Sequence, residues 1–265
     1  MTPIEITRGD GPIVLGMPHT GTWLPDDVRG RLNARGSALA DTDWHIDQLY
    51  DGLLPDATIV RATFHRYLID ANRDPAGASL YPGQNTTGLV PFTDFDGEPI
   101  WTDEPDADEI ERRLTAYHAP YHATLQGELD RVKSQHGVAI LFDCHSIRSV
   151  IPNLFEGELP ILNIGTNDGT TCASYLDNIV YGLSELSPFN AVLNGRFKGG
   201  WTTRNHGRPT ANIHAIQMEI AQRAYLNEEA PPWTFDAQKA EILRPVLRDI
   251  LTALDAETET LARGF

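Results

Sequence analysis

Along most of this chain, apolar runs of strand length alternate with stretches of helical period. That alternation limits the fold more than any other feature of the sequence. Strand-like runs fall at about 12–18, 57–70, 138–144, 159–166, 190–197 and 213–220. Helical patterns fall between or after them, at roughly 25–35, 42–54, 107–135, 169–185 and 235–262. Strands interleaved with helices predict an α/β fold, with a mixed, mostly parallel central sheet between helical layers, α/β/α. A length of 265 residues suits one domain spanning 1–265 better than two small ones. The stretch from Asp74 to Asp106 is rich in Pro, Gly, Thr and Asp and has no period. A loop that long in a compact domain is expected to be functional, such as a lid over a site.

Two of the apolar runs end in a histidine followed by a hydroxyl residue. One is Ile13-Val14-Leu15-Gly16-Met17-Pro18-His19-Thr20, and the other is Ile140-Leu141-Phe142-Asp143-Cys144-His145-Ser146. Side chains just past the carboxyl ends of strands in an open α/β sheet face the crevice where ligands bind. Two imidazoles placed there, with a carboxylate and a water, have the composition of a catalytic zinc site. The candidate carboxylate is Asp43, in Asp41-Thr42-Asp43-Trp44-His45-Ile46-Asp47. Ile46, Leu49, Tyr50 and Leu53 have helical spacing, which predicts a helix with Asp41 or Thr42 as its N-cap and Asp43 on its inward side. Asp47, one turn later on the same face, is the alternative third ligand. Asp143 is expected to hydrogen-bond around the site rather than to ligate, Cys144 to pack in the core, and His45 to point elsewhere.

Asn212 to Ile220 alternates as a strand does, with Gln217 and Glu219 on one face and Ile216, Met218 and Ile220 on the other. A carboxylate at the end of so apolar a strand is costly to bury without a purpose. Glu219 is therefore the candidate general base, and a salt bridge to Arg223 is the structural alternative. The run Leu68-Ile69-Asp70-Ala71-Asn72-Arg73 ends in an amide beside a guanidinium, a pair suited to binding a carboxylate, with Asp70 placed to orient Arg73 or Arg66.

The formal net charge is −16, which argues against nucleic acid and anionic membranes as partners. From Ser187 to Met218, however, there is no Asp or Glu, while Arg196, Lys198, Arg204 and Arg208 cluster there. A basic pocket in so acidic a chain implies a small anionic ligand. Two cysteines are too few for a disulfide framework, there is no signal-peptide pattern at the amino terminus, and no apolar run is of spanning length. Together these features predict a cytoplasmic protein. Neither a Gly-Lys-Ser/Thr phosphate loop nor a Gly-x-Ser-x-Gly nucleophile elbow occurs.

Taken in order, these motifs resemble the N-formylglutamate amidohydrolases, the deformylases that end one route of histidine degradation. The resemblance runs through Pro18-His19-Thr20-Gly21, Asp41 to His45, Arg66 to Arg73 and Tyr81-Pro82-Gly83-Gln84. It continues through Phe95 to Pro99, Tyr117 to His122, Asp143 to Ser149, Asn194 to Gly200 and His214 to Glu219. Departures are Thr20 where Ser is frequent, Cys144 where Ala or Gly is, and Trp201-Thr202 where Tyr-Ile is. The resemblance implies a fold similar to the zinc carboxypeptidases and aspartoacylase-like hydrolases, and hydrolysis of N-formyl-L-glutamate to formate and glutamate. It implies Zn2+, or another divalent metal such as Co2+ or Mn2+, held by His19, His145 and Asp43, with Glu219 as base. Asn72 and Arg73 would form a carboxylate clamp, and Arg66, Arg196 and Arg204 would be further substrate contacts. The partner is a small dicarboxylate amide, and the chain is a monomer or small homo-oligomer. Deacylation of another N-acyl amino acid, such as N-formylaspartate, is the alternative activity. A non-catalytic dicarboxylate-binding protein is the non-enzyme alternative, marked by glutamate binding without metal.

Overall fold

A computed structural model describes residues 2–263. Seven strands form one sheet in the order β1-β3-β2-β4-β7-β5-β6 among the described residues. They are β1 (Ile4–Thr7), β2 (Ile13–Met17), β3 (Thr58–Ala62), β4 (Ala139–Ile147), β5 (Leu162–Gly165), β6 (Ala191–Leu193) and β7 (Ile213–Ala221). β3, β2, β4 and β7 are mutually parallel; β1 runs antiparallel to β3, and β5 antiparallel to β7. The chain passes from β2 to β3 on one side and returns to β4 on the other. Such a reversal opens a crevice at the carboxyl ends of the strands.

The helices are α1 (Asp26–Arg29), α2 (Ala34–Ser37), α3 (Ile46–Tyr50), α4 (Ala107–Arg113), α5 (Ala119–His136), α6 (Leu176–Leu186), α7 (Trp201–His206), α8 (Ala237–Ala256) and α9 (Thr258–Arg263). Two apolar cores follow from strand alternation. Ile13, Leu15, Met17, Ile140, Phe142, Cys144, Ile216 and Met218 pack with α3, α6 and α8. On the opposite face Val14, Val60, Leu141 and Ala215 pack with Tyr121, Leu125, Leu129 and Val132 of α5. Asp143, His145, Gln217 and Glu219 belong to this second face by alternation. No helix among the described residues is long and apolar enough to cross a membrane.

Four local expectations are corrected. The helix expected over 42–54 is only α3, and its N-cap is His45, in the left-handed region at φ 58° and without a side-chain cap bond. Neither Asp41 nor Thr42 caps it. The pattern over 25–35 is split between α1 and α2. That over 107–135 is interrupted by a π turn at Leu114–His118. β4 runs on through His145 to Ile147, so this histidine lies within a strand rather than beyond it. β1 and α7 had no expected counterpart, because each is too short to show a period.

Candidate active site

Three ligand-type side chains from distant parts of the chain meet where β2 and β4 end. His19 lies two residues past the end of β2, and His145 lies on β4. Asp43 sits in the turn before α3, held by its backbone N–H donating to His19 O at 3.1 Å. Nitrogens of His19 and His145 and an oxygen of Asp43 lie within 4.8 Å of one another, all buried. Asp43 Oδ2 is 3.0 Å from His145 Nδ1 and 3.8 Å from His19 Nδ1. The far nitrogens face two further buried carboxylates: His19 Nε2 lies 2.7 Å from Asp70 Oδ1, and His145 Nε2 lies 3.1 Å from Asp143 Oδ1. A carboxylate behind each imidazole fixes its ring and raises its basicity as a ligand, and such pairs recur at metal-binding histidines. Two imidazoles and a carboxylate could hold a divalent cation, since this donor set is that of catalytic zinc.

Burial and neighbouring charges act differently on the three groups. Burial alone would lower the pKa of His145, but Asp143 and Asp43 outweigh it and raise it well above the usual histidine value. Burial, reinforced by Arg66, lowers His19 to about 4, so its ring is neutral and keeps a lone pair. Burial would raise Asp43, but the hydrogen bond from His145 and the charges around it hold its carboxyl below the usual value. The Arg66 guanidinium contacts His19 Nδ1, lies 3.7 Å from Asp43 Oδ1, and packs over the Phe95 ring.

Glu219 comes to the site through strand register. It is paired with His145 across the parallel β4–β7 ladder, one step beyond the Asp143–Gln217 pair. Burial pushes its carboxyl up to about 8. Gln217 Nε2 is 3.3 Å from Glu219 Oε2. Arg223, the alternative partner, lies 3.5 Å from Glu158 instead.

A pocket opens onto these groups, lined by His19, His145, Glu219, Arg66, Asn72, Arg73 and Arg196. Tyr81, Asn85, Thr86 and Thr87 of the long 74–106 loop form one wall, and Leu154, Phe197 and Gln217 line it elsewhere. Arg73 is steadied by Thr87, donating from Nε to Thr87 O at 2.9 Å and from Nη2 to Thr87 Oγ1 at 3.0 Å. Arg196 donates to Leu154 O and Asn85 O, each at 2.9 Å.

The other cations of the acid-free stretch are turned elsewhere. Lys198 pairs with Asp168 at 3.0 Å, and Arg208 donates to Gln126. Arg204 is not among the cavity-lining residues. Its guanidinium lies 5.1 Å from the centre of the Tyr81 ring, and it donates to Gly199 O at 2.8 Å and Leu80 O at 3.1 Å. Asp47 is also remote from the site, half-buried and 2.7 Å from Arg61 Nη1. Asp70 goes to His19 at 2.7 Å, rather than chiefly to an arginine, with Arg66 Nε at 4.0 Å. The neutral wall had been given no role: Tyr81 and Phe197 fell within motifs of the resemblance, and Asn85, Thr86 and Thr87 only within the aperiodic 74–106 loop.

Asn72 is clasped from inside. Its Oδ1 accepts from Thr202 N at 2.8 Å, and its Nδ2 lies 3.2 Å from His145 Nε2. Gly200, next to it, accommodates the amide because it has no side chain; an added Cβ would overlap Asn72 Nδ2, Cγ and Oδ1. Gly200→Ala is expected to displace Asn72 and lower kcat/KM by about tenfold or more, given the sensitivity of catalysis to small misplacements. Steady-state kinetics alongside circular dichroism would check it; an active, normally folded variant would contradict the packing.

The model of the family described as N-formylglutamate amidohydrolase matches residues 11–226. The chain belongs to this family. An N-formylglutamate deformylase of Pseudomonas putida is 45% identical over 255 residues, covering 95% of each chain. Another, from Pseudomonas aeruginosa, is 42% identical over 258 residues, again covering 95% of each. The crystal structure of an N-formylglutamate amidohydrolase from Ralstonia eutropha JMP134 superposes with a TM-score of 0.79 over the whole of both chains, at 26% identity. A protein of Agrobacterium tumefaciens shares the fold, with a TM-score of 0.72 at 16% identity, covering 96% of this chain and 97% of its own. As an amidohydrolase of this family, the chain is an enzyme, and the crevice at the strand ends is where its chemistry is to be sought.

Proposed function

We propose that this amidohydrolase hydrolyses N-formyl-L-glutamate to formate and L-glutamate, using a divalent metal, zinc by its donor set, held by His19, Asp43 and His145. The observation that carries the reading is the register pairing of His145 with Glu219. It sets a buried carboxylate beside the three ligand-type groups, in the wall of a pocket also lined by arginines. Family membership and the names of the Pseudomonas relatives support the substrate.

When bound, the metal would polarise the formyl carbonyl and make its water more acidic. Glu219 takes a proton from the attacking water as the new C–O bond forms. It returns that proton to the departing nitrogen as the formyl C–N bond breaks. Arg66, buried beside His19 and Asp43, is placed to stabilise negative charge developing on the formyl oxygen. Arg73 with Asn72 on one side and Arg196 on the other receive the two carboxylates. An arginine fork suits a carboxylate, and two of them select a dianion. Asp70 and Asp143 keep the two imidazoles oriented. Arg204 acts at one remove, by backing Tyr81.

Formate release from N-formyl-L-glutamate, with and without a chelator, tests the reading. Turnover should be lost with the metal and return when Zn2+, Co2+ or Mn2+ is added back. Full activity in metal-free protein would remove the metal from the proposal. Faster turnover of N-formyl-L-aspartate or of an N-acetylated amino acid would move the substrate.

A further inference from the structure

The segment carrying Asn72 and Arg73 lies beyond the end of β3, where no ladder takes up its carbonyls. Donors from outside the segment do so instead. His122 Nε2 lies 2.7 Å from Ala71 O, Trp201 N donates to Asn72 O at 3.3 Å, and His118 Nε2 lies 2.9 Å from Arg73 O. A carbonyl oxygen can only accept, so both imidazoles carry a proton on Nε2. Both rings are buried, and burial lowers both pKa values, which keeps them neutral. Just upstream, Arg113 Nη1 donates to Leu68 O at 3.0 Å.

These three side chains come from one helical rod, and its irregularity explains how they share an edge. Arg113 and His118 are five residues apart, and His118 and His122 are four apart. In an unbroken α-helix a step of five lands about 140° round the axis, on a different face. The π turn at Leu114–His118 takes up one extra residue, so the step of five behaves as a step of four. The rod then presents a guanidinium and two imidazoles from one edge to the segment 68–73, at the carbonyls of Leu68, Arg73 and Ala71. His122 is braced in turn by His206 of α7. Their rings stack at 5.3 Å and 18°, with His206 Nε2 3.0 Å from His122 Nδ1. None of these three histidines is among the residues lining the cavity.

We propose that His118 and His122 are positioning residues for substrate binding: by holding the carbonyls of Arg73 and Ala71, they fix the backbone from which Asn72 and Arg73 reach the substrate carboxylate. The proposal rests on the N-formylglutamate reading. Its test compares His118→Leu and His122→Leu, which remove the donor, with His118→Gln and His122→Gln, which keep an N–H able to reach a carbonyl. Each leucine variant should raise KM for N-formyl-L-glutamate by about tenfold or more while kcat stays within about threefold, with metal content unchanged. The glutamine variants should recover most of the loss. In an Arg73→Ala background, His118→Leu should add less than about a twofold loss, because residues acting as a unit are not additive.

A loss confined to kcat, equal losses in the leucine and glutamine variants, or full additivity with Arg73→Ala would each overturn the proposal. Should His122→Leu fail to fold, His118 carries the test alone. If the wild-type protein releases no formate, the substrate reading falls. The positioning claim would then be judged by calorimetric binding of L-glutamate, which keeps both carboxylates; an unchanged Kd in His118→Leu would overturn it.

Discussion

Glu219→Gln is expected to lower kcat by about 10²–10⁴-fold, the range over which a positioned acid–base group contributes, while leaving metal content and KM close to wild type. The substitution is nearly isosteric and preserves a partner for Gln217, so the cavity keeps its shape. It removes the capacity to take a proton from water and to pass it to the leaving nitrogen. Glu219 is buried at 8% exposure, so no solvent base can substitute cheaply. Steady-state kinetics with metal analysis on the same preparation decide the matter. Near-normal turnover with full metal would transfer the base role elsewhere, whereas loss of metal would place Glu219 among the groups that retain it.

The second large effect is expected at Asp43. Its carboxylate is the shared neighbour of both imidazoles, at 3.0 Å and 3.8 Å. Asp43→Ala removes one of the three proposed ligands and leaves Arg66 facing His19 with less opposing charge. Metal should fall below about one-tenth of an equivalent, and kcat/KM by about 10³-fold or more, as expected when Lewis-acid assistance is lost. Two comparisons give this result its meaning. Asp70→Asn, which weakens the support of His19 without removing a ligand, should cost about 10–100-fold in metal affinity. Asp47→Ala breaks only a half-buried surface pair with Arg61, away from the pocket, and should leave turnover within about twofold, as surface ion pairs contribute little. Metal bound normally by the Asp43→Ala protein would end its assignment as a ligand.

His19, His145 and Glu219 were legible because each interrupts or ends an apolar run, where a polar side chain is costly unless the fold gives it a task. The alternation of β4 and β7 also disclosed which neighbours share their face. What could not be read is which strands lie side by side. Pairing between β4 and β7 joins residues more than seventy positions apart, and nothing local in either strand specifies its partner. The position of Asp43 was reachable only by chemistry. Its surroundings suggest a helix, yet the turn before α3 is shaped by a tertiary bond to His19 O and by the left-handed His45. The basic stretch misled in proportion, since composition counts cations without saying where they point. Of Arg196, Lys198, Arg204 and Arg208, only Arg196 lines the cavity. Asp70 was read by proximity in sequence to two arginines; space gives it to His19.

The opposed cores of the sheet have a consequence for how this enzyme can change. Along β4, Ile140, Phe142 and Cys144 face one helical layer while Leu141, Asp143 and His145 face the other; along β7, Ile216, Met218 and Ile220 alternate with Gln217 and Glu219 in the same way. Stability and chemistry are thus written in the same strands at positions of opposite parity, like two messages interleaved letter by letter. Substitution at one parity can retune folding without reaching the reaction. Inserting or deleting a single residue in either strand would exchange its two messages outright, turning His145 or Glu219 into a hydrophobic layer and apolar side chains towards the crevice.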